Sequence, residues 1–82
     1  MTIKTFRNIC SFRVFVPEKS GWIGYRPSLM DPNIWHCEFR SQEGKDRKHK
    51  LIGADYAENI WDRFRSSEHC ETTFVSGNYG PA

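Results

Sequence analysis

Ala57, Ile60, Trp61 and Phe64 stand at i, i+3, i+4 and i+7, a spacing that gathers four apolar side chains into one stripe along an α-helix. Such a stripe has to be buried against another element, so it dictates a layered fold as well as a helix. The spacing predicts a helix over Asp55–Ser67. Asp55 and Glu58 stand at capping-box spacing, with an acid in place of the usual hydroxyl residue. Glu58, Asp62 and Arg65 fall on the opposite side of the helix, and Arg63 and Arg65 put cations near its C-terminal end.

The surface that receives this stripe is read from alternation. Cys10, Phe12, Val14 and Val16 share one face of a predicted strand, with Ser11, Arg13 and Phe15 on the other. Pro17 ends that strand, and Glu18–Gly21 turns the chain into a short second strand, Trp22–Arg26. Gly24 within it signals a bulge or a close backbone approach. Pro27–Asn33 reads as a loop holding two apolar residues, Leu29 and Met30. In Ile34–Arg40, Trp35, Cys37 and Phe39 point one way and His36, Glu38 and Arg40 the other. Glu43-Gly44 makes a hairpin tip that returns through a cationic strand, Lys45–Ile52. After the helix, Glu71–Ser76 forms a last strand with Thr72 and Phe74 on one side, and 77–82 reads as a flexible tail. This order predicts a single α+β domain over 1–76: a small antiparallel sheet of four to five strands with one amphipathic α-helix packed on one face.

A chain of 82 residues has room for one core, and its six Phe, three Trp and three Tyr are what fill it. Each buried ring removes roughly 150–250 Å² from water, which suits a short chain. Cys10, Cys37 and Cys70 are an odd, widely spaced set, unlike a secreted disulfide scaffold. Arg7 and Arg13 interrupt every apolar run that a signal peptide would need, and nothing approaches the ~18 apolar residues of a membrane span. A cytoplasmic setting (a host's cytoplasm for a phage-encoded chain) with no membrane partner is the expectation.

Chemistry-bearing residues are present without the spacing that chemistry needs. His36-Cys37 and His69-Cys70 offer zinc-ligand types, but neighbours on a strand point to opposite faces. A Cys–His nucleophilic pair would further need an orienting group, an oxyanion hole and a cleft. No enzyme activity, catalytic residue, metal or cofactor is expected.

Two surfaces remain. The first is apolar surplus: Phe15, Trp22, Tyr25, Leu29, Met30 and Tyr56 exceed what one core layer can hold. Phe15, Trp22 and Tyr25 beside Arg26 have the composition of a protein-binding hot spot. The ordinary alternative packs Phe15 and Trp22 under the Pro27–Asn33 loop or across a dimer axis. The second surface is basic: Arg40, Lys45, Arg47, Lys48 and Lys50 surround one hairpin, and Arg26 joins them if its side chain shares the open face. That hairpin suits an acidic protein surface, or the phosphates of DNA or RNA. Three strands followed by a helix also resemble, in layout alone, the DNA-binding sheets of AP2-type and integrase arm-binding domains, with Trp35 and Gly53 as the matching residues. A net charge of +2 is below what a dedicated nucleic-acid binder carries. The sequence therefore points to a non-enzymatic protein-binding module, a monomer or homodimer. It is of the kind encoded by bacteriophages and mobile elements, acting as a small inhibitor or regulator that sterically blocks a larger partner. A sheet-based nucleic-acid-binding regulator is the alternative.

Overall fold

The computed structural model describes residues 6–74. Strands β1 (Ile9–Val16), β2 (Gly21–Pro27), β3 (Ile34–Ser41) and β4 (Arg47–Gly53) form a meander. Helix α1 (Ala54–Phe64) then carries the chain back across one face to β5 (Cys70–Phe74). All neighbours are antiparallel and the order is β4-β3-β2-β1-β5, so α1 runs from one sheet edge to the other. This is the α+β fold that the two periodicities predict. Among the described residues no helix is long and apolar enough to cross a membrane. The expected tail, 77–82, and the end of the expected last strand lie outside the described residues.

The core lies between α1 and the sheet. Ala57 and Trp61 of the helix meet Ile9, Phe12, Val14, Tyr25 and Trp35, all buried, with Ile60 and Phe64 packed at the margin. Phe12 and Tyr25 are cross-strand partners whose rings stack at 4.5 Å between centroids. Phe6, ahead of β1, stacks on Trp35 at 4.7 Å and reaches Trp61 at 5.9 Å, closing one corner beneath the helix.

Four local expectations change. Alternation puts Cys10 on the core face, yet Cys10 is exposed and Ile9 is buried. A bulge in β1 between Ile9 and Ser11 inserts one extra residue against β5, which flips every side chain before it. Tyr25, expected among the surplus exposed rings, is buried at 6% exposure because it shares the core face with Phe12. The helix begins one residue before Asp55 and stops short of Ser67, at Phe64. Its N-cap is Gly53, with no side-chain capping bond: the Ala54 amide donates to the Asn33 carbonyl at 2.9 Å, so the loop supplies what a capping box would. Asp55 occupies the first turn, where its charge favours the dipole. Finally, the close approach falls at Gly21 and not at Gly24. A methyl group on Gly21 would stand 2.7 Å from both the Phe39 ring and the Arg40 carbonyl, whereas β2 pairs through Gly24 without a bulge.

Candidate functional site

One face of the sheet carries α1; among the described residues no element covers the other. Strand alternation sends Arg13 and Phe15 of β1, Trp22 and Arg26 of β2, Glu38 and Arg40 of β3 and Arg47 of β4 to this open face.

Phe15 and Trp22 are direct partners across the β1–β2 hairpin, and their rings pack at a tilt of 60° with centroids 5.1 Å apart. The 3₁₀ turn Pro17–Lys19 fixes that register, with Ser20 in the left-handed region and its amide donating to the Pro17 carbonyl. Opposite Arg13 stands Gly24, which has no side chain. Arg13 therefore has room to lean along the sheet and lay its guanidinium 4.0 Å over the Trp22 ring. On its other side Arg13 pairs with Glu71, its β5 partner, through Nε at 2.9 Å and Nη2 at 2.8 Å. Phe15 is flanked by the His69 ring at 6.0 Å. The result is a fixed row, His69–Phe15–Trp22–Arg13–Glu71. Over Gly24 the face sinks into an open groove of about 480 Å³, walled by Arg13, Trp22, Arg26, Glu38 and Arg40.

Glu38 anchors the other half. It accepts from Arg47 at 2.7 and 3.2 Å and faces Arg26 at 3.7 Å. The Arg47 hydrogen bond, with the charges of Arg47, Arg40 and Arg26 behind it, holds its carboxyl below the usual glutamate range. Beside it, His36 Nδ1 and His49 Nε2 are 2.9 Å apart, the rings stacked at 5.1 Å.

The residues predicted as binding sites are divided by this geometry. Phe15, Trp22 and Arg26 share the open face, while Tyr25 lies in the core, where burial raises its phenol well above the ordinary tyrosine value. Phe15 and Trp22 pack on each other, and the Pro27–Asn33 loop is at the far end of β2 from Trp22. That loop carries Leu29 and Met30 fully into solvent. The basic hairpin splits: Arg40 and Arg47 are partners on the open face, whereas Lys48 and Lys50 pair with Phe39 and Cys37 and point to the helix-bearing face. Lys45 stands in the turn before β4. Arg13, Glu71, Glu38 and the two histidines were not legible as a unit, because their contacts depend on the register of the β2–β3 and β3–β4 hairpins and of the long-range pairing of β1 with β5. Alternation showed only that Arg13, His36 and Glu38 lie on the side away from their strands' apolar residues.

Among the described residues Cys10, Cys37 and Cys70 are unpaired, and no three His, Cys, Asp or Glu side chains converge as metal ligands. Burial raises the Cys37 and Cys70 thiols above the ordinary value. No protein-family model, curated protein or solved structure matches this chain.

Proposed function

We propose that the chain is a non-enzymatic protein-binding module that docks a larger protein on its open sheet face and acts by covering part of that partner. The observation that carries this reading is the pre-ordered Phe15–Trp22–Arg13 cluster on a face that no other element covers among the described residues. Trp and Arg held in one conformation lose little entropy on binding, which is what makes such residues hot spots. Five strands spaced ~4.8 Å and roughly seven residues long present some 550 Å². That is about two thirds of one side of a standard interface, ~800 Å². The groove over Gly24 offers a recess for a partner side chain between the cluster and the Glu38 ion pairs.

Affinity capture with cross-linking mass spectrometry tests it. Wild-type protein should retain one partner with cross-links around the β1–β2 face; Trp22→Ala should lose that partner while keeping its far-UV circular dichroism. Recovery of nucleic acid alone, or capture indifferent to Trp22→Ala, rejects the reading.

A second reading, a sheet-based DNA- or RNA-binding regulator, is favoured by one observation: Arg13, Arg26, Arg40 and Arg47 outnumber Glu38 and Glu71 on the same face. It requires gel-shift affinity that falls steeply with salt and drops on charge reversal at Arg40 and Arg47. The Arg13 guanidinium over Trp22 works against base stacking on that ring.

A further inference from the structure

The helix crosses its sheet face on a diagonal, from the end of β4 to the start of β5, and so leaves one corner of that face uncovered. Phe6 fills the opposite corner by stacking on Trp35. The open corner is a groove of about 530 Å³, within the range of small-molecule sites. Its floor is apolar: Ile23, Cys37 and Phe39 from the sheet and Ile60 from the helix. Phe39 is fixed there, its ring seated on Gly21.

The rim is cationic. Lys48 and Lys50, two residues apart on edge strand β4, line one wall, and Lys19 Nζ stands 5.9 Å from the Phe39 ring centroid. Among the described residues every ion pair within 4.0 Å uses an arginine, so none of these three lysines has a carboxylate partner. The helix sorts its charges in the same sense. At 100° per residue, Tyr56, Ile60 and Arg63 share the flank toward the groove, while Asp55, Glu58 and Asp62 fall on the flank away from it. No carboxylate lines the groove.

We propose that this corner is a binding site for a small amphipathic anion, with an aliphatic or aromatic body over Ile23, Phe39 and Ile60 and a carboxylate or phosphate head between Lys48 and Lys50. The site is on the sheet face opposite the cluster described above, so it stands or falls independently of the protein-binding reading. Burial of the apolar body drives association. The two ammonium groups select the charged head, because exposed lysines without a carboxylate partner gain a charge-assisted contact they lack in the free protein.

Titration of isoleucine-methyl-labelled protein with octanoate, octyl phosphate and octanol tests this. Saturable shifts are expected at the Ile23 and Ile60 methyls with either anion, and the tighter of the two identifies the head group. Octanol, with the same tail and no charge, should bind roughly tenfold or more weakly. The Lys48→Ala, Lys50→Ala double variant should lose a similar factor for the anions and nothing for octanol, with its methyl dispersion showing that it is folded. Equal binding of octanol, unchanged affinity in the double variant, or an absence of saturable shifts at low millimolar anion overturns the proposal.

Discussion

The Trp61 indole donates from Nε1 to Thr72 Oγ1 at 3.0 Å, tying the helix to the edge strand that follows it. Trp61 is also the largest fully buried side chain, with Phe6 against one side and the Arg65 guanidinium 4.1 Å over its ring. Two contributions can be separated. Thr72→Val keeps the volume and removes the acceptor, leaving a buried N–H unpaired, and should cost about 1–3 kcal/mol. Trp61→Ala empties the core and should cost about 3–5 kcal/mol, a large share of what so short a chain has. Urea unfolding of the two variants checks the order. If Trp61→Ala retained the fold and lost only partner binding, the helix would belong to the recognition surface and not to the scaffold.

The two β2 glycines should behave in opposite ways. Gly21→Ala drives a methyl group against the Phe39 ring and the Arg40 carbonyl, and since the backbone cannot yield, overpacking should cost about 1–3 kcal/mol. At Gly24 an added Cβ meets nothing nearer than the Glu38 carbonyl at 3.9 Å, ordinary contact. Gly24→Ala should therefore keep or raise the melting temperature, since glycine is a poor strand residue. Gly24→Leu should raise the groove floor beside Arg13 and weaken partner capture while the fold persists. Thermal melts of the three variants, with partner capture by the Gly24→Leu protein, read this out.

The difference between those glycines shows what the sequence carries and what it does not. Period-3.6 and period-2 patterns are local, so the Ala57–Phe64 stripe and the faces of Trp35, Cys37 and Phe39 were legible from spacing alone. Which glycine is crowded depends on the Phe39 ring one strand away, and which of Cys10 and Ile9 is buried depends on a bulge against β5. Both are consequences of register, set by partners distant in the chain. The same limit merged Arg40, Arg47, Lys48 and Lys50 into one basic hairpin. Period 2 along β4 separates them onto two faces, once the pairing of Arg40 with Arg47 fixes the register.

Glu38 gives the open face its pH dependence. Its carboxyl is held low first by the Arg47 hydrogen bond, so its ion pairs contribute stability above the ordinary glutamate range. That contribution is lost as pH falls through the lowered folded value. Carboxyl-carbon NMR should show Glu38 titrating below the ordinary glutamate range, and the offset should shrink in high salt because its arginine partners are largely solvent-exposed. Arg47→Ala should move the Glu38 midpoint upward. A midpoint unchanged by that substitution would mean that the hydrogen bond does not hold the charge.

The three thiols should react in an order set by the fold. Cys10 is thrown outward by the β1 bulge and exposed, while Cys37 and Cys70 are half-buried with thiols raised above their ordinary value, first by burial. Burial outweighs the groups that favour the charged form, Tyr25 and Lys50 at Cys37 and the Thr72 hydroxyl 4.0 Å from the Cys70 sulfur, so neither is presented as a thiolate near neutral pH. Iodoacetamide at pH 7.5, quenched at intervals and read by peptide mass spectrometry, should modify Cys10 first by a wide margin. Because Cys37 floors the lysine-rimmed groove, octanoate should slow its modification further and leave Cys10 untouched. Protection of Cys10, or equal rates at all three sites, would contradict both the bulge and the groove assignment.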